Sequence, residues 1–426
     1  MLGFKNGIHP KDNKSITENK AIEVMPQPEN ICIPLSQHIG APCESLVAVG
    51  DYVKAGQLIA KSEKAMSSNI FSSVSGTVTG FKTLPTATGA IVNHICIQND
   101  FKDEKVFLEP LVNPSSQQIL ERIREAGIVG MGGASFPSHI KLNPPKSKKI
   151  DKLIINGAEC EPYITCDYRV ILEHTDELIE GIKLIAKVLN VDDIYLGIED
   201  NKPEAIKTLK GYKGINVIPL KTKYPQGAEK QLIYAITNRK VPLGGLPMDV
   251  GCVADNIHTA YSVFLAVNKG IPCYERVVTV SGRAVEKSGN YLIRTGTSYK
   301  YIAEYCKVLD PQKIISGGPM MGFSVYNTDI VTAKATSSIL FLNDSEISTI
   351  SAETCINCGR CAKACPMFLM PMYIDSHSLA GDYKNAKKYG ALDCIECGCC
   401  AYVCPTKRPL VQSIRLAKKI IRQKKL

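Results

Sequence analysis

Residues 355–366 read CINCGRCAKACP and residues 394–405 read CIECGCCAYVCP. Both stretches space their cysteines as C-x2-C-x2-C-x3-C and follow the last with proline: Cys355, Cys358, Cys361 and Cys365-Pro366, then Cys394, Cys397, Cys400 and Cys404-Pro405. Three closely spaced thiolates from one tight loop can wrap three irons of a cubane, while the fourth, starting a short helix, points to the other cubane. The spacing therefore predicts two 4Fe-4S clusters with crossed ligation, one held by Cys355, Cys358, Cys361 and Cys404, the other by Cys394, Cys397, Cys400 and Cys365. A pair of structural zinc sites normally uses two C-x2-C pairs and gains nothing from a third cysteine at x2 or a fourth before proline. Cys399 breaks no spacing and reads as a small buried residue beside a cluster.

The rest of the composition agrees with a metal-binding use of thiols. Of 17 cysteines, nine crowd between Cys355 and Cys404, which in a chain of 426 residues argues for a reducing compartment instead of a disulfide scaffold. With 45% hydrophobic residues, the chain can bury the cores of several domains. No charge-free apolar stretch reaches the ~18 residues that cross a bilayer, and the N-terminus lacks the apolar segment of a signal peptide. A net charge of +10 points to an acidic partner or an anionic membrane surface; nucleic acid is disfavoured by the absence of Trp and of any basic-aromatic pattern. The seven histidines show no H-x-x-H spacing and read as structural.

Working toward the N-terminus, Gln117 to Ala126 has Ile119, Ile123 and Ala126 on one face and predicts an amphipathic helix stopped by Gly127. Gly130-Met-Gly-Gly-Ala-Ser-Phe-Pro137 follows, a loop whose glycines would let backbone N–H groups approach a phosphate, although glycine clusters also make plain turns. Lys152 to Gly157 reads as a buried parallel strand, and Glu159, Glu161, Asp167 and Arg169 lie beyond its C-terminal end, where open α/β sheets bind ligands. A solvated acidic turn is the alternative for that segment.

These segments resemble the flavin- and NADH-binding segments of the flavoprotein subunit of respiratory complex I. More closely, Gly130-Met-Gly-Gly-Ala-Ser-Phe-Pro-Ser-His-Ile-Lys141 and Asn156-Gly-Ala-Glu-Cys-Glu-Pro162 resemble the C subunits of Rnf complexes, membrane-bound oxidoreductases that couple ferredoxin and NAD to ion pumping. The likeness extends to Gly7-Ile-His-Pro10, Pro34 to Pro42, Tyr224-Pro-Gln-Gly-Ala-Glu229 and the C-terminal position of both cluster motifs. It implies non-covalent FMN on Gly130, Gly132, Gly133 and Lys141, with further contacts from Asn156 and Asn256. It also implies an aromatic, Phe136, stacked on the dinucleotide and an acid, Glu161, acting beside the nicotinamide; Glu159 and Glu229 lie in the matching segments as further cofactor contacts. The complex I pattern has Arg where Met131 stands, an acid at Ala158 and Asn at Asp255.

The resulting fold class is an α/β flavin-binding core with a Rossmann-like parallel sheet, an N-terminal barrel-sandwich-like β unit, a β-grasp (SLBB-type) unit and a C-terminal α-helical two-cluster ferredoxin module. The expected boundaries are 1–110, 111–270, 271–345 and 346–426. Val49 to Gln57 and Val74 to Val78 alternate apolar and turn residues, as half of a biotinyl/lipoyl-type sandwich would, with Lys64 a solvated lysine. Val277 to Gly282 opens the β-grasp unit, and Ser413 to Leu426 reads as a basic amphipathic helix. NAD(H) exchanges two electrons and each cubane one, so FMN is the cofactor that joins them. The resemblance implies a peripheral NAD(H)-reacting subunit on the cytoplasmic face of the membrane, partnered by other Rnf subunits and only indirectly by ferredoxin, with ion translocation in the partners. The alternatives are a soluble flavin and iron-sulfur reductase serving a corrinoid or amino-acid reductase, and a cluster-carrying scaffold without flavin.

Overall fold

The computed structural model describes residues 2–426. Its centre is a four-stranded, all-parallel sheet in the order Asn216–Leu220, Ile194–Glu199, Lys152–Gly157, Cys252–Asn256. Alternation along Lys152–Gly157 explains the layers on either side. Leu153 and Ile155 pack toward helices Thr175–Leu189 and Ile257–Asn268, whereas Ile154 packs with Leu232 and Ile233 of helix Glu229–Thr237. All three strand residues are fully buried, each contributing about 2 kcal/mol by removal from water. The chain runs outward from Lys152–Gly157 to Asn216–Leu220 and then crosses back to place Cys252–Asn256 on the other flank. Two neighbouring strands thus feed connections to opposite sides, and their C-terminal ends bound a crevice of the kind that takes ligands.

The helix expected over 117–126 spans Ser116–Glu125, fixed by a capping box between Ser115 and Gln118 and by buried Ile119 and Ile123. Residues 30–99 form two small antiparallel sheets, Asn30–Pro34, Ile91–Asn99, Gly76–Pro85 and Tyr52–Val53 against Glu44–Ser45, Leu58–Lys61 and Ile70–Phe71, around a core that includes Ile31, Ile59, Val74 and Ile97. The segment before them lies elsewhere: Leu2 and Ile8 bridge to Leu220 and Tyr224 of the α/β unit, and Ile22–Val24 pairs in parallel with Gly289–Arg294. That pairing completes a six-stranded mixed sheet with Glu275–Ser281, Ser338–Leu342, Lys313–Ser316 and Phe323–Val325, on which helix Tyr299–Tyr305 packs.

One cysteine pair departs from the metal-binding reading. Cys32 and Cys96 stand directly opposite each other on adjacent antiparallel strands, Cα atoms 4.2 Å apart, and form a disulfide. Among the described residues, no helix is long and apolar enough to cross a membrane. The C-terminal module is helical, with Pro371–Leu379, Tyr383–Lys388 and Leu410–Gln423 joined through Ile374, Ala386, Ile414, Ala417 and Ile421.

Candidate flavin crevice and iron-sulfur sites

The cluster cysteines come together in the crossed arrangement. One cavity is lined by Cys355, Cys358, Cys361 and Cys404, with Met372 and Leu410; a second is lined by Cys365, Cys394, Cys397 and Cys400, with Cys399, Val411 and Ile414. Four thiols around one small space, three from a loop and one from the other motif, fit a cubane. Four left-handed residues, Asn357, Gly359, Glu396 and Gly398, help bend the loops that turn the thiols inward. The two sets differ in exposure. In the first, Cys358 is exposed, whereas in the second Cys365, Cys397 and Cys400 are all buried. Cys399 is fully buried at the edge of the second cavity.

The second set is also the one fastened to the rest of the protein. The Tyr224 hydroxyl, from the loop after Asn216–Leu220, donates to the Cys397 carbonyl at 2.7 Å, and Gln231 Nε2 donates to the Pro366 carbonyl at 3.3 Å. From the N-terminal segment, Asn6 Nδ2 donates to the Cys365 carbonyl and the Gly7 amide to the Ala364 carbonyl, each at 3.0 Å. A Cβ on Gly398 would lie 2.8 Å from the Met320 carbonyl, so the turn after Lys313–Ser316 also presses on this loop.

Glu161 belongs to this seam. Its carboxylate accepts from the amides of Met320 (3.1 Å) and Met321 (2.8 Å), and Tyr224 Oη lies 3.5 Å from Oε1. Burial pushes its carboxyl up to about 7, against those amides, which favour the ionised form. Its hydrogen-bond partners are local to this seam. They lie in the 316–322 turn and Tyr224, and none is in the glycine loop.

The other expected residues gather at the sheet's crevice. The loop is held by Gly130 N to the Phe136 carbonyl (2.8 Å) and by Met131 N to Thr259 Oγ1 (3.0 Å), while the Met131 side chain is buried. Gly132, Gly133 and Ala134 remain exposed at the tip, and Phe136 is half-buried. A Cβ at Gly132 would sit 3.0 Å from Asn256, whereas at Gly133 nothing lies within 4 Å, leaving open space over the backbone. Lys141, at the end of the short helix Ser138–Lys141, pairs with Glu229 at 3.1 Å. Burial pulls its ammonium down, but Glu229 and Asp255 outweigh this and hold it above the usual range.

Asn156 and Asn256 end the two strands that bound the crevice. Asn156 Nδ2 donates to the Gly227 carbonyl at 2.8 Å. Asn256 caps helix Ile257–Asn268, its Oδ1 accepting from His258 N and Thr259 N, while Nδ2 donates to Asp167 Oδ2 at 2.6 Å. Glu159 accepts from the Asp167 amide at 2.8 Å, and burial together with the Glu159 charge pushes the Asp167 carboxyl up. Ser138 Oγ, Glu159 Oε2 and Asp255 Oδ2 are buried without a partner. An exposed glycine tip, a cation and unsatisfied acceptors of the kind that hydroxyls and a ring N–H would engage fit an FMN.

Sequence reasoning missed Met320 and Met321, whose contribution is main-chain amides, and His258, whose Nδ1 lies 4.0 Å from Asp167. It also missed the N-terminal β unit's reach to the loop, through Ile39 N to the Ser135 carbonyl (3.2 Å) and the Ala65 carbonyl to His139 Nε2 (3.3 Å). No local pattern marks such contacts.

Three stretches of the chain match known protein families. Residues 2–102 match the RnfC barrel sandwich hybrid domain, 123–265 the Nuo51 FMN-binding domain, and 347–405 the 4Fe-4S dicluster domain. The chain is 49% identical to the C subunit of the proton-translocating ferredoxin:NAD(+) oxidoreductase complex of Clostridium ljungdahlii, over 98% of this chain and 94% of that one. It is 41% identical to the C subunit of the Na(+)-translocating ferredoxin:NAD(+) oxidoreductase complex of Acetobacterium woodii, over 98% and 97%. With the C subunit of the ion-translocating oxidoreductase complex of Rhodobacter capsulatus it shares 42% identity, over 98% and 83%. Among solved structures, a chain of an NAD+-reducing [NiFe]-hydrogenase shares the fold, with a TM-score of 0.53 at 17% identity over 72% of this chain and 63% of that one.

Proposed function

The chain belongs to the family of C subunits of Rnf-type ion-translocating ferredoxin:NAD oxidoreductase complexes, and we propose that it is the peripheral, NAD(H)-reacting subunit of such a complex. It is an oxidoreductase subunit with FMN and two 4Fe-4S clusters as cofactors and NAD(H) as substrate. When bound, FMN exchanges two electrons with NAD(H) and single electrons with the clusters.

In this reading Gly130, Gly132 and Gly133 offer backbone amides to the FMN phosphate, with Lys141 as counter-charge. Asn156, Asn256 and Glu159 hold the remainder of the flavin from the strand ends, and Phe136 and Glu229 line the dinucleotide's approach. Glu161 is the acid beside the nicotinamide, held in place by the Met320 and Met321 amides, which tie the α/β unit to the 316–322 turn. Cys365, Cys394, Cys397 and Cys400 hold the inner cluster, next to the flavin unit; Cys355, Cys358, Cys361 and Cys404 hold the outer one, from which electrons pass to or from other subunits and, through them, ferredoxin. The division at 1–110, 111–270, 271–345 and 346–426, the β-grasp identity of the third unit and attachment at the cytoplasmic face are parts of the same proposal.

The observation that carries it is the seam itself: the buried thiol set is hydrogen-bonded through Cys397 to Tyr224 of the flavin-binding unit, while the other set opens outward at Cys358. Cofactor analysis of anaerobically purified protein tests it. About eight irons and one FMN per chain are expected; iron without flavin would leave a cluster-carrying scaffold.

A further inference from the structure

The C-terminal helix Leu410–Gln423 spends its apolar face internally, on Ile374, Ala386 and Ala391. Besides Leu416, what it shows outward is mainly charge: Lys419 and Arg422 are exposed, as are Lys424 and Lys425 just beyond. Helix Tyr383–Lys388 lies against its end, where Lys387 Nζ donates to the Leu426 main-chain oxygen at 2.6 Å. Its Lys384, Lys387 and Lys388 are exposed too, so two elements distant in sequence present seven cations together. None of the seven is ion-paired with a side-chain carboxylate among the described residues, in contrast to Arg415 and Lys418, which Glu396 engages. The nearby Asp382 is committed to capping its own helix through the Asn385 amide and to His377 at 3.3 Å.

We infer that this basic face is an electrostatic docking surface for an anionic lipid bilayer. Charge complementarity and residue type both select that occupant. Six of the seven cations are lysines, which protein–protein interfaces deplete in favour of aromatic residues, Met and Arg. A clustered run of four to eight Lys and Arg on a helix face suits an acidic leaflet, which requires no shape complementarity. Because Ile414, Ala417 and Ile421 are already buried in the module, adsorption through the cations leaves the fold unchanged and does not require that face to insert. This face contains no residue of the flavin or cluster sites.

Co-sedimentation of the full-length holoprotein with vesicles tests it without partner subunits. Binding is expected to vesicles in which about a third of the phosphatidylcholine is replaced by phosphatidylglycerol, weakening steeply as salt rises, and not to phosphatidylcholine alone. The combination Lys384→Gln, Lys388→Gln, Lys424→Gln and Lys425→Gln should weaken it at least about tenfold while NADH oxidation by a small acceptor is unchanged, and the same four positions changed to Arg should retain it. Three results would overturn the proposal: no binding of the wild type to anionic vesicles at low salt, equal binding by the Gln variant, or capture only by membranes containing partner subunits, which would make the face a protein interface.

Discussion

Gly133→Val and Gly132→Ala separate two roles that adjacent glycines play in one loop. Nothing lies within 4 Å of a Cβ at Gly133, so a side chain there meets only the space above the backbone, and stability should stay within about 0.5 kcal/mol of the parent. A Cβ at Gly132 lands 3.0 Å from three side-chain atoms of Asn256. Relief requires Asn256 to move, which weakens its N-cap, at about 1 kcal/mol, and its bond to Asp167, at about 1.5–3 kcal/mol. Gly132→Ala should therefore cost about 1–4 kcal/mol, the upper end applying if both interactions are lost. Both variants should nevertheless lose FMN, because each obstructs close approach of a phosphate to the loop. Flavin fluorescence after release, iron per chain and thermal unfolding by circular dichroism, all on anaerobic protein, read these outcomes separately. Full flavin occupancy in Gly133→Val would remove the phosphate from this loop; unaltered stability in Gly132→Ala would show that the Asn256 clamp is not what holds the crevice.

Cys404→Ser should damage the cluster of Cys355, Cys358 and Cys361, and Cys365→Ser the cluster of Cys394, Cys397 and Cys400; electron paramagnetic resonance showing each change destroying the cluster of its own motif would refute crossed ligation. Cys358→Ser should leave NADH oxidation by a small artificial acceptor largely intact and abolish transfer to the reconstituted complex, and equal loss in both assays, with flavin retained, would mean electrons leave the flavin only through a cluster. Glu161 gives a pH signature. Its carboxyl sits at about 7 in the folded chain against an ordinary 4.5, so the folded state keeps a proton that the unfolded chain gives up. Stability is thus highest below the lower value and falls by about 3 kcal/mol as pH rises through that window. Glu161→Gln should flatten the difference in melting temperature between about pH 5 and about pH 8, and an unchanged slope would assign the pH dependence elsewhere.

The most legible parts of the chain were those where one local rule dictates both residue type and spacing. The thiol spacings predicted two four-cysteine sets, and each set lines one cavity. The apolar run Lys152 to Gly157 predicted a buried strand because a parallel strand covered on both faces tolerates no polar alternation. Less legible was anything that depends on a partner far away in sequence. Ile22–Val24 is three residues long, has two exposed positions, and is a strand only because Gly289–Arg294 offers it an edge. Glu161 was read from its place after a strand, but its orientation is set by two main-chain amides some 160 residues away. The Cys32–Cys96 pairing likewise follows from strand register, which no cysteine spacing encodes.

The central claim is that electrons pass between NAD(H) and the clusters only by way of the glycine-loop flavin. Anaerobic NADH titration of wild-type and Gly133→Val protein, followed by visible absorbance and electron paramagnetic resonance, tests it most directly. NADH should bleach the flavin bands and produce a reduced-cluster signal in the wild type. In flavin-depleted Gly133→Val the clusters should stay oxidised with NADH and become reduced with dithionite. Cluster reduction by NADH at the wild-type rate in that flavin-free protein would contradict the account.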